Sequence, residues 1–170
     1  MIRTAALLLA ILCGTLVSAQ DDPFAFMPDG GRGILETVFT DAESRVWALG
    51  QDMTVEAWQG EIAARAPELG ERPRATLAAY LSVIAPYAGE ATSELPPDGR
   101  DIALAQCLSC HSLFTGYLMQ RRDRAGWLST FASPFHKVIE ITPLEREIFA
   151  DYSAINMPMR VEDVPPELRY

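Results

Sequence analysis

The chain is 170 residues long and sets 14 Lys and Arg against 23 Asp and Glu, a formal charge of −9. That acidic balance excludes a nucleic-acid binder built on a basic face, and favours a partner with a basic docking patch. The length suits one moderate domain or two small ones.

At the N-terminus, Arg3 precedes an apolar run from Ala5 to Leu12, and Val17-Ser18-Ala19 before Gln20 fits a small-residue cleavage site. Residues 1–19 therefore read as a secretory signal peptide. The run is shorter than the roughly 20 residues of a bilayer-spanning helix, so no membrane span is expected. Bulky Leu12 beside Cys13 argues against lipid attachment there. Cleavage after Ala19 removes Arg3 and Cys13, which leaves a charge of −10 and two Cys. The expected mature protein is soluble and exported, periplasmic in a bacterial source.

Gln20 to Gly33 is rich in Asp, Pro and Gly and reads as an irregular leader. No segment shows the period-two alternation of a strand, so the fold expected is all-α. Trp58 opens a helical stretch that breaks at Pro67 and Pro73, then runs through Leu77, Tyr80, Leu81 and Ile84 to Pro86. Tyr87 to Gly99 is the best linker. Residues 20–96 thus form a leader and a first helical region, and residues 97–170 a second domain.

Pro97-Asp98-Gly99-Arg100 opens that second domain, with Asp98 as N-cap of a helix carrying Ile102, Leu104 and Ala105. Further on, Trp127 opens a stretch that breaks near Pro134. Leu144, Ile148, Tyr152 and Ile155 follow on a last helix before Pro158. Thr142 at N-cap, Pro143 at N1 and Glu145 at N3 make its capping box. Trp and Tyr lie 22 residues apart in the first half and 25 in the second. The echo suggests duplication; the alternative is a helical cap that covers hydrophobic surface on the second domain.

The chemistry-bearing motif is Cys107-Leu108-Ser109-Cys110-His111, the spacing of covalent c-type haem attachment. Two thiols about one helical turn apart reach two vinyl groups on one porphyrin edge, and His111 becomes the proximal iron ligand. A thioredoxin-type dithiol would follow a strand, and a zinc half-site would need further Cys or His at suitable spacing. Neither finds its supporting residues. A disulfide at this spacing would be strained and leaves His111 unexplained. Residues 34–86 contain no Cys and no His, so the first half cannot hold haem in this way.

From about residue 98 to 160 the chain resembles the class I c-type cytochromes: Cys-x-x-Cys-His, a basic segment, a Trp, a short loop, and a helix ending in an aromatic before Pro. The resemblance implies one haem c wrapped by helices, with one-electron transfer between a periplasmic dehydrogenase and a downstream cytochrome or oxidase. It implies no catalysis by the chain itself; a further reading it implies is the electron-transfer subunit of a dehydrogenase, docked through the N-terminal half. For the sixth iron ligand there are two main candidates. Met157 and Met159 stand beside Pro158, as in the ligand loop of that family, but follow the last helix. His136 occupies the loop before it, where the family's Met is expected. Met119 is read as core. In the basic run Arg121-Arg122-Asp123-Arg124, Arg121 and Arg124 are candidates for propionate contacts, as is Tyr117, and Trp127 for packing at the haem edge or in the core. The alternative functions are a haem-based sensor or gas-binding protein with an open or displaceable sixth position, and a redox-inert assembly subunit.

Overall fold

The computed structural model describes residues 22–89, 95–108 and 112–170. The signal-like segment, part of the linker, and Ser109, Cys110 and His111 lie outside the described residues. Among the described residues there are helices and turns but no strand. The helices are α1 (Gly31–Val38), α2 (Ala42–Leu49), α3 (Val55–Arg65), α4 (Glu71–Ile84), α5 (Gly99–Cys107), α6 (Arg124–Thr130) and α7 (Pro143–Asn156), with a π turn at Phe114–Leu118. The all-α expectation holds at this level.

Local chemistry sets the helix starts. Asp41, Thr54, Asp98, Asp123 and Thr142 each sit in extended backbone and accept an amide of the first turn through the side chain, which satisfies donors that no helical carbonyl can reach. The capping box of Thr142 and Glu145 is formed as expected, and Asp98 makes a second one with Asp101. The supposed leader is shorter than expected, because α1 already begins at Gly31.

α4 and α7 pack against each other at the centre. α1 and α3 flank α4 as α5 and α6 flank α7. The two halves share details beyond this order. A side chain at Gly31 would stand 2.3 Å from the Cβ of Tyr80, and one at Gly99 would stand 2.1 Å from the Cβ of Tyr152. Each glycine is therefore the point where the first helix of its half crosses the last at close range. Each tyrosine then donates to a carbonyl just before the start of a half's first helix: Tyr80 to Pro96 at 2.6 Å, at the end of the linker, and Tyr152 across to Pro28 in the first half at 2.7 Å.

One carboxylate ties the helix starts together. Gly30 is the N-cap of α1 and has no side chain to cap with. The space beside it is filled by Asp98, whose carboxylate would lie 2.0 Å from any Cβ at Gly30. Asp98 accepts the amides of Arg100 (2.9 Å) and Asp101 (3.0 Å) in its own helix, and the Arg32 amide (3.0 Å) at the start of α1. It is buried, and that burial pushes its carboxyl above the ordinary range, opposed by the amide hydrogen bonds.

The apolar periodicity read for α4 corresponds to buried Leu77, Tyr80, Leu81 and Ile84. On α7, Ile148 and Tyr152 are buried while Leu144 is exposed, and Phe149 joins the core. Leu144 lies in the first turn of α7. Among the described residues no helix is long and apolar enough to cross a membrane.

Candidate cofactor cleft

The aromatic residues of the second half enclose a space. Tyr117 comes from the π turn, Trp127 from α6, Phe131 from the end of α6 and Phe149 from α7. Ring centroids lie 5.4 Å apart for Tyr117 and Trp127, 5.7 Å for Trp127 and Phe149, and 5.4 Å for Phe131 and Phe149. Near-perpendicular packing of Trp127 on Phe149 sets ring edge against ring face, which their quadrupoles favour. These rings line one side of an open cleft of about 120 Å³.

Cys107, the last residue of α5, lines the cleft, and so does His136. His136 ends a short 3-10 turn, Pro134–His136, in the connection between α6 and α7. Its Nδ1 lies 3.1 Å from the Thr130 carbonyl oxygen. A carbonyl only accepts, so Nδ1 is the donor of this bond. The Cys110 and His111 positions of the motif lie outside the described residues; Cys107 is the member whose surroundings are seen.

The arginines separate clearly. Arg124 is held by two carboxylates of α7, donating through Nε to Asp151 at 2.6 Å and through its terminal nitrogen to Glu147. Burial pushes the Asp151 carboxyl up, and the Arg124 guanidinium opposes the shift. Arg121 is exposed and, like Arg124, is not part of the cleft lining. Arg122, which the sequence reading left aside, lines the cleft with its guanidinium 5.3 Å from the Trp127 ring centre, and donates to the Thr130 hydroxyl at 3.0 Å. Arrangement at the cleft thus favours Arg122 over Arg121 and Arg124 as an anion partner.

Tyr117 is almost fully buried, with its hydroxyl 2.9 Å from the Ser153 hydroxyl. Burial raises its phenol well above the usual value, so it stays neutral. Its polar end is engaged in the core rather than aimed at the cleft mouth. Met157 is buried at the end of α7, with its amide bonded to the Ser153 carbonyl. Met159 lines a separate, more polar cavity with Met27, Arg160 and Asp163, and Met119 is half-buried beside the π turn. The structure brings Cys107, Trp127 and His136 to one cleft, and these three methionines do not line it.

No family model, curated protein or solved structure matches the chain. The chemistry must therefore be argued from the cleft. Its walls are mainly aromatic and aliphatic. It carries a thiol, an imidazole, a guanidinium, and the buried indole Nε1 of Trp127, which has no hydrogen-bond partner among the described residues. Trp58 has the same unpaired nitrogen, so the orphan alone is not diagnostic. Its place on the cleft wall distinguishes Trp127.

Proposed function

We propose that the protein is an exported single-haem c-type cytochrome that carries one electron at a time between a dehydrogenase and a downstream cytochrome or oxidase. The observation that carries this reading is the aromatic cleft with Cys107 on its wall, because Cys107 is the first residue of Cys-x-x-Cys-His. Cys107 and Cys110 would hold the haem as thioethers, formed by adding S–H across its vinyl groups with no leaving group, and His111 would bind its iron. Haem held there supplies a one-electron ferric–ferrous couple. Trp127, Phe131 and Phe149 limit water access, which is one of the protein's levers on potential. The Arg122 guanidinium, on the cleft wall, would be the donor to a carboxylate arm.

The acidic chain favours a redox partner with a basic face, met by long-range attraction that salt weakens. Residues 1–19 are the basis for export.

The test is expression with the haem-attachment machinery of an exporting host. Covalent haem is expected to survive denaturing electrophoresis, to raise the intact mass by one haem, and to be lost from the denatured chain in the Cys107→Ala, Cys110→Ala double variant. A chain with only the mass of its polypeptide, or haem released on denaturation, overturns the reading.

A further inference from the structure

We propose that the connection between α6 and α7 is a docking tip for an anionic lipid surface, entering it through Phe135 and Val138 and held there by the cations around them. The inference stands apart from the proposed redox function, because it needs no bound haem. It begins with exposure. Phe135 and Val138 are 86% and 79% exposed, more than any other large apolar side chain among the described residues. Neighbours shield an apolar side chain that lies in a flat patch, so exposure of this degree means that both project. The base they stand on is ordered: the His136 amide donates to the Ser133 carbonyl at 3.0 Å and the Ile139 amide to the His136 carbonyl at 3.1 Å, Pro134 fixes the first turn, and the His136 ring is tied to the Thr130 carbonyl. His136 and Ile139 face inward to the cleft, while Phe135, Lys137 and Val138 face water.

Charge is the second strand of the argument. Residues 119–139 carry Arg121, Arg122, Arg124 and Lys137 against Asp123 alone, a local charge of +3 in a chain of −9. Lys137 is the only lysine of the chain, and it stands between the two projecting side chains. Arg124 is taken up by Glu147 and Asp151 of α7. Arg121, Arg122 and Lys137 have no carboxylate partner among the described residues, and Arg122 lines the cleft beside His136, at the same end of the molecule. Glu140, two residues beyond Val138, is the acid that opposes them along the connection.

A projecting tip suits a bilayer better than a protein. Acyl chains close around whatever enters them, whereas a protein partner must supply a matching pocket. Lys137 suits the boundary, since a lysine stem lies along apolar groups while its ammonium stays at headgroup level. A cation beside an anionic leaflet strengthens binding about fivefold. At physiological salt, charges more than about 8 Å from that surface are largely screened, so cations at the tip outweigh the acidic remainder of the chain. Two side chains at a turn make a surface contact and not a span.

The experiment is vesicle flotation of the exported chain, with loss of residues 1–19 checked by intact mass because that apolar run would bind lipid by itself. Vesicles are phosphatidylcholine alone, or phosphatidylcholine and phosphatidylglycerol in equal parts. Wild type is expected to float with the mixed vesicles, less with phosphatidylcholine alone, and less as salt is raised. Lys137→Gln should weaken binding about fivefold, and the Phe135→Ser, Val138→Ser double variant at least about tenfold. Val46→Ser, at an exposed apolar residue of α2, should leave it unchanged. All four positions are exposed, and circular dichroism checks that each variant keeps the wild-type helix content. Phe135→Trp adds a direct readout: its extra emission should move to shorter wavelength with mixed vesicles and be quenched by brominated acyl chains. A wild type that floats with neither vesicle, a double variant that floats as well as wild type, or an equal loss in Val46→Ser overturns the proposal. So does binding of polyglutamate at the tip without binding of vesicles, which would make it a site for an acidic protein. Haem content enters none of these outcomes, so failure here leaves the redox reading standing, and the reverse.

Discussion

The two halves use the same crossing of first and last helix, through Gly31 on Tyr80 and Gly99 on Tyr152, yet end with opposite interiors. Eight residues after the crossing glycine, the first half has Phe39 and the second has Cys107. Phe39, Trp58, Ile62, Leu77 and Leu81 are completely buried. Trp47 packs 6.3 Å from Phe39 and 6.1 Å from Trp58, and the Arg65 guanidinium sits 4.5 Å from the Trp47 ring centre. At the matching place in the second half the rings stand around an open cleft. One helical frame can thus be completed by its own side chains or left to be completed by something else, and the residue at a single register position marks the difference.

The largest effect that separates the halves should come from their tryptophans. Trp58→Ala removes a fully buried ring and is expected to cost about 3–5 kcal/mol in chemical denaturation, while the haem spectrum stays as in wild type. Trp127→Ala is expected to shift that spectrum or the potential. Equal spectral changes from both variants would erase the proposed division between a filled half and a cofactor half.

Next come the crossings. Gly31→Val and Gly99→Val each force a side chain into a tyrosine, and each should destabilise by about 1–3 kcal/mol, read from the denaturation midpoint. A neutral result for one of them would show that its half does not need the close approach, and the likeness of the halves would fail at that point.

Asp98 tests the link between halves. Asp98→Ala removes caps from two helices and should cost about 2 kcal/mol, against about 1 kcal/mol for Asp123→Ala, which uncaps one. Equal costs would mean that the Arg32 contact contributes nothing. The smallest effect is a pH slope. Burial raises the Asp98 carboxyl, so just above the unfolded value of about 3.9 the native chain holds a proton the unfolded chain has lost. Stability contributed by this group therefore falls as pH rises through that window. Denaturation at stepped pH should show a shallower decline in Asp98→Asn; identical slopes would exclude this linkage.

Much of this architecture was legible before any coordinates. Asp98 and Thr142 read correctly as N-caps because capping is local chemistry, decided within about one turn. Leu77, Tyr80 and Leu81 were placed by periodicity. α1 and α2 were not, being eight residues each and held by contacts with α4 rather than by a pattern of their own. The second role of Asp98 was invisible because Arg32 is 66 residues away. The carboxylate partners of Arg124 were out of sight for a similar reason: Glu147 and Asp151, which hold it, lie a helix further on. His136 was legible as a candidate, but its alignment beside Thr130 needed the fold.

The bond from Tyr152 to Pro28 bears on how portable the motif-bearing half is. Cutting the chain at its linker would strip Tyr152 of the Pro28 carbonyl and the Asp98 carboxylate of the Arg32 amide. It would also uncover the α7 face that meets α4. Residues 97–170 are thus a poor minimal module to graft elsewhere, although they contain the whole Cys-x-x-Cys-His motif. A smaller version of this protein would have to rebuild that face with polar residues and supply a new acceptor for Tyr152, or keep the first half as its built-in partner.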